Sequence, residues 1–150
     1  MTNTVKICDF GVSRKLKSED IMHEHCGTPA YIAPEIFENK GYEGYQCDVW
    51  SAGVTLYYML GGIQPFRADS IKELEKVVMD GKYDDLEGIS KEANDLIHKI
   101  LQVNPKIRIT IDEILNHPWL ANVDLNGRIK LNLFTDAEKI LLSKFDVDYL

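Results

Sequence analysis

The chain has 150 residues, 45% of them hydrophobic and 27% charged, the composition of one folded domain rather than of a disordered tail. Seventeen basic residues against 24 acidic ones give a formal net charge of −7, which argues against a nucleic-acid surface or an anionic membrane as the main partner. Cys8, Cys26 and Cys47 form no Cys-x-x-Cys pair and no disulfide framework, and the opening residues hold no apolar run fit for a signal peptide, so a reducing cytosol or nucleus is the expected compartment.

In chain order, Val5-Lys6-Ile7-Cys8 alternates apolar and polar and predicts a short strand. It ends in Asp9-Phe10-Gly11. Residues 17–26 are polar and aperiodic and read as a surface loop, continued by the structure-breaking Gly27-Thr28-Pro29. Pro34 suits the first turn of a short helix over 34–39. Residues 40–47, with Gly41 and Gly44, read as a loop.

Residues 48–60 (DVWSAGVTLYYML) carry too many apolar or small residues for one helical face. They predict a central helix enclosed on every side, with Asp48 at its N-terminal end and Gly61-Gly62 as its stop. An amphipathic helix with a broad apolar stripe is the alternative. The run is well short of the ~18–20 apolar residues that cross a bilayer.

Ser70 and Glu73 predict a capping box opening a helix to about residue 79. Ser90 caps another, with Ala93, Leu96, Ile97, Ile100 and Leu101 on one face and Asn104-Pro105 as its end. Thr110 with Glu113 and Thr135 with Glu138 repeat the capping pattern. Residues 122–132 are the expected boundary between a body and a C-terminal tail carrying the last helix.

Three clusters, in this order and spacing, resemble the second half of a eukaryotic protein kinase domain: Asp9-Phe10-Gly11, then residues 27–35 (GTPAYIAPE), then residues 48–53 (DVWSAG). Pro65-Phe66, Arg108 and His117-Pro118-Trp119 complete the pattern. The resemblance covers residues 4–121 and leaves 122–150 as the tail. It implies a mainly α, partial protein-kinase-like fold: the large C-terminal lobe with a small β element at the N-terminus. A calcium/calmodulin-dependent kinase type follows from the helix after His-Pro-Trp, although no EF-hand loop and no basic calmodulin-binding character accompany it.

By that resemblance Asp9 holds Mg²⁺ against the phosphates of ATP, Phe10 packs on a small-lobe helix, Gly11 is a hinge, and Cys8 lines the nucleotide pocket. A turn carboxylate and a passive apolar cysteine are the plain alternatives. Residues 9–35 resemble an activation segment, with Gly27, Thr28 and Pro29 flooring the peptide groove and Thr28 marking Ser/Thr specificity. Glu35 and Arg108 are expected to form a buried ion pair, the alternative being two unrelated surface charges. Asp48 is expected to anchor the catalytic loop to the central helix, or to serve as a plain N-cap. Trp50 and Gly53 belong to the same core anchor.

Glu24 stands where many kinases carry a regulated phosphothreonine, and pairing with Arg14 would imitate part of a phosphate's charge; a solvated loop charge is the alternative. Ser13, Ser18 and Thr28 are candidate acceptors of a phosphate. Tyr58 stands where some basic-directed kinases carry a glutamate. His23-x-His25-Cys26 has metal-donor chemistry but no fourth ligand nearby.

The glycine-rich loop, the phosphate-binding lysine strand and the catalytic loop are not found in the chain. The expectation is a fragment of a Ser/Thr protein kinase, inactive alone, whose parent transfers the γ-phosphate of ATP to protein substrates and whose partner is the missing N-terminal half of the domain. A non-catalytic lobe that binds partners or substrates is the second reading.

Overall fold

The computed structural model describes residues 7–17, 20–38 and 40–123. The chain divides into two units, Met1–Leu120 and Ala121–Leu150, and every helix described belongs to the first. The predicted tail helix from Thr135 lies outside the described residues, as do Val5, Lys6 and Ser18.

After a 3-10 turn at Pro29–Tyr31 come α1 (Pro34–Phe37), α2 (Gly44–Gly61), α3 (Ile71–Asp80), α4 (Lys91–Ile100) and α5 (Ile111–Leu115), then a 3-10 turn at Pro118–Leu120. The architecture is mainly helical. Among the described residues there is no strand, and Ile7 and Cys8, the described part of the predicted one, are exposed. The one β contact is an isolated antiparallel bridge between Met22 and Tyr42.

Local signals set three of the helix starts. The Ser70 hydroxyl accepts from Glu73 N–H, and the Ser90 hydroxyl from Ala93 N–H. At α5 the box closes both ways, the Glu113 carboxylate accepting from Thr110 N–H at 2.8 Å while the Thr110 hydroxyl accepts from Glu113 N–H at 3.3 Å. At α3 the Ser70 half of the box is formed; there, as at α5, the hydroxyl also donates to the glutamate carboxylate. Gly62 and Gly81 end α2 and α3 in the left-handed region, at φ 70° and 67°.

The central helix corrects the sequence reading twice. It begins at Gly44, four residues before Asp48, behind Glu43, which makes no side-chain cap. Asp48 is therefore inside the helix and is not its N-cap. Gly44 looked like a loop residue, yet it is glycine because the Leu16 side chain occupies the place of a Cβ. Nor is the helix enclosed all round. Cys47, Val49, Trp50, Gly53, Val54 and Tyr57 are buried, whereas Ala52, Tyr58, Met59 and Leu60 face outward. The broad-stripe alternative describes it better.

The buried face holds the core. Trp50 stacks on Phe66 with ring centroids 5.4 Å apart, and Tyr83 meets both Phe66 and Tyr57 edge-on. α4 crosses α2 at Gly53, where an added methyl would run into Ile100 and come within 3.1 Å of Leu101. α4 ends at Ile100, short of Asn104-Pro105; the Lys99 carbonyl, which a longer helix would offer to Val103 N–H, accepts from Ile109 N–H at 3.1 Å, and the carbonyls of Gln102 and Val103 just beyond face Arg108.

Gly53→Ala therefore tests the crossing. Alanine is the better helix former by about 1 kcal/mol, so propensity alone would stabilise the variant. The crossing predicts instead a loss of about 1–3 kcal/mol from overpacking, read as a lower urea midpoint. A neutral or raised midpoint would mean that the helices are not pressed together there.

Candidate functional site

Glu35 and Arg108 lie 73 positions apart and meet in the interior, 8% and 3% exposed. Pro34 starts α1 and places Glu35 in its first turn, where a carboxylate also suits the helix dipole. Arg108 reaches it from the segment before α5. Its Nη1 donates to Glu35 Oε1 at 2.7 Å and to Gln46 carbonyl oxygen at 2.6 Å. Nη2 donates to Glu35 Oε2 at 2.9 Å and to Gln102 carbonyl oxygen at 2.9 Å, and Nε donates to Gln102 carbonyl oxygen at 3.0 Å. All five guanidinium N–H groups are thus used.

The guanidinium also lies over the Trp50 ring, 5.1 Å from its centroid. On the other side Cys47 Sγ donates to Glu35 Oε1 at 3.3 Å. Burial pushes the Cys47 thiol well above its usual range, and the neighbouring Glu35 carboxylate adds to the effect, so the thiol keeps its proton and its donor role.

Upstream, Gly27 has φ 117°, Thr28 is extended and exposed, and Pro29–Tyr31 form the 3-10 turn closed by Tyr31 N–H on Thr28 carbonyl oxygen at 2.9 Å. Ser51 Oγ donates to Tyr31 carbonyl oxygen at 2.9 Å, which fastens this shelf to α2. Asp9 is exposed and, among the described residues, is the one non-glycine with positive φ, 64°. Aspartate tolerates that corner better than most residues, and strained corners gather at functional sites. Phe10 and Cys8 beside it are exposed. Arg14 Nη1 meets Glu24 Oε1 at 2.9 Å on the surface. The Glu24 carboxyl is held below its ordinary value, first by its own and His23's backbone N–H groups and then by Arg14.

Residues 1–120 match the family model described as protein kinase domain. The chain is 39% identical over 123 residues to "Putative sperm motility kinase W" of Mus musculus, an alignment covering 82% of this chain and 25% of that protein. It is 42% identical over 118 residues to "CBL-interacting protein kinase 20" of Oryza sativa subsp. japonica (77% and 25%), and 40% identical over 119 residues to "CBL-interacting serine/threonine-protein kinase 5" of Arabidopsis thaliana (77% and 27%). The chain belongs to the protein kinase family. It spans about a quarter of the length of these relatives.

The structure brings together Glu35, Arg108, Trp50 and, unforeseen from sequence, Cys47 and the Gln46 carbonyl. Ser51 was visible inside its motif, but nothing local marked Tyr31 as its partner. Asp48 stands in the second turn of α2, where partial burial raises its carboxyl above the ordinary range. Among the described residues no group of three His, Cys, Asp or Glu gathers as a metal site. His117 of His-Pro-Trp is buried: Nδ1 accepts from Trp119 N–H at 3.3 Å, which leaves Nε2–H to donate to Asp95 at 3.0 Å. Also missed was a surface chain in which Tyr83 reaches His98 Nδ1 at 2.9 Å and His98 Nε2 reaches Asp85 at 2.6 Å.

Glu35→Ala and Arg108→Ala should each lower unfolding free energy by more than about 2 kcal/mol, because each strands a buried charge. The double variant should lose less than the sum of the two, measured by urea unfolding. Full additivity would mean that the two charges act independently.

Proposed function

We propose that residues 4–121 are the C-terminal part of a Ser/Thr protein kinase domain, contributing the metal corner, the peptide shelf and the core anchor to transfer of the γ-phosphate of ATP onto protein Ser or Thr. The observation that carries this reading is the fastening of residues 27–35 at two points, in their middle and at their C-terminal end. Ser51 holds the Tyr31 carbonyl, and Arg108 grips Glu35 with a two-pronged fork. Thr28 and Pro29 are tied to α2 through Tyr31, whose N–H donates to the Thr28 carbonyl oxygen at 2.9 Å, and such a tie favours the positioning of a peptide hydroxyl.

Asp9 fits a Mg²⁺ role chemically. It offers an exposed hard carboxylate on a turned corner, with Gly11 close enough that an added methyl would come within 3.4 Å of Asp9 Oδ1. One carboxylate suffices only beside phosphate oxygens and water, the usual company of Mg²⁺; the ion, when bound, neutralises charge on the transferring phosphoryl group. Thr28, extended and exposed, supports Ser/Thr acceptors, with its hydroxyl available to catalytic groups that the rest of a kinase domain supplies. Arg14 and Glu24 belong to the activation segment, and Asp48 to the seat of the catalytic loop. A cytosolic or nuclear location accompanies this reading.

Ile7, Phe10, Val12, Tyr58, Met59 and Ile63 are exposed apolar residues, as expected where a further part of a domain would cover them. They support docking of the N-terminal half of a kinase domain. They equally favour the second reading, a non-catalytic lobe that binds partners or substrates.

The test is Asp9→Asn in a complete kinase domain containing this chain. Mg²⁺-dependent transfer to Ser/Thr peptides should fall by at least about 100-fold. Unchanged transfer would remove the metal role, and no transfer by the parent domain under any condition would favour the binding reading.

A further inference from the structure

The stretch between α1 and α2 contains a dock that the kinase motifs do not use. Tyr42 is almost fully buried, and its hydroxyl donates to Glu24 carbonyl oxygen at 2.6 Å. Its backbone exchanges two hydrogen bonds with Met22, at 2.9 and 3.0 Å. Tyr45 donates its hydroxyl to Leu16 carbonyl oxygen at 3.0 Å. Two glycines show independently that the upstream segment lies here. A methyl on Gly41 (φ 84°) would come within 2.5 Å of Ile21 and 2.9 Å of His23, and one on Gly44 would collide with Leu16.

The competing tether is the Arg14–Glu24 ion pair, with side chains 53% and 58% exposed. Exposed pairs of this kind contribute little and are screened by salt. Four hydrogen bonds and two close approaches at glycine outweigh it. We infer that residues 41–45 are a clamp that holds residues 16 and 20–24 in place through Tyr42, Tyr45, Gly41 and Gly44, with neither a phosphate nor the charge at position 24 required. This rests on the reading of residues 9–35 as an activation segment, and it adds that the middle of that segment is ordered without modification.

The experiment is amide hydrogen exchange on the 150-residue chain, followed at Met22 and Tyr42, with Val54 and Ile97 as core references. Tyr42→Phe should speed exchange at Met22 by at least about fivefold, and Tyr42→Phe with Tyr45→Phe by more, while the references hold their rates. Gly44→Ala should release the same amides by displacing Leu16. Glu24→Gln, or about 0.5 M NaCl on the unaltered chain, should change them less than about threefold.

Unchanged Met22 exchange in the double tyrosine variant would overturn the clamp. So would release by Glu24→Gln or by salt as large as release by Tyr42→Phe, and so would equal acceleration at Val54 and Ile97. Because exchange is read without nucleotide, failure of the Asp9 role in a transfer assay would leave this result standing, and the two failures are distinguishable.

Discussion

A carboxylate and a guanidinium taken out of water must be satisfied almost completely, and the rest of this lobe depends on how Glu35 and Arg108 meet that demand. The fork between them uses both carboxylate oxygens, and the remaining guanidinium N–H groups go to the carbonyls of Gln46 and Gln102. Desolvation of such a pair offsets much of its attraction, so its net stabilisation is modest while the cost of breaking it is large. The pair therefore works as a fixture. It requires α1, the N-terminal turns of α2 and the segment after α4 to be in register together.

That requirement links packing to the proposed chemistry. α1 begins two residues after residues 27–31, so Ser51 on Tyr31 and Arg108 on Glu35 both act at the C-terminal side of that stretch and tie it to α2 and to the segment after α4. α2 is in turn held by the Trp50–Phe66 stack and by its crossing with α4 at Gly53. A displacement of α4 would thus reach the proposed peptide shelf through α2. Positioning at the ångström scale is most of what phosphoryl transfer asks of a protein.

Much of this was legible along the chain, but only where the cause was local. Ser70, Ser90 and Thr110 announced their helices because a cap acts within three residues. The start of α2 was hidden because Gly44 reads as a breaker; its reason, the Leu16 side chain, comes from 28 positions away. The end of α4 was placed late because Asn104-Pro105 is a local stop, whereas the Lys99 carbonyl is taken by Ile109 N–H, ten positions on. The outward face of Tyr58, Met59 and Leu60 could not be seen in a helix apolar on all sides, where periodicity names no face. Of the predicted strand only Ile7 and Cys8 are described, and they are not in a strand, since alternation alone does not supply the partner a strand needs. Glu35 and Arg108 could be named together only through resemblance, since no spacing rule links residues 73 positions apart.

The most direct measurement of the central claim is urea unfolding of Arg108→Lys beside Arg108→Ala. Lysine keeps the positive charge but cannot make the two-pronged grip or serve the Gln102 and Gln46 carbonyls at once. If geometry is what holds the lobe together, the two variants should fall within about 1 kcal/mol of each other, both well below the unaltered chain. An Arg108→Lys variant as stable as the unaltered chain would contradict the account.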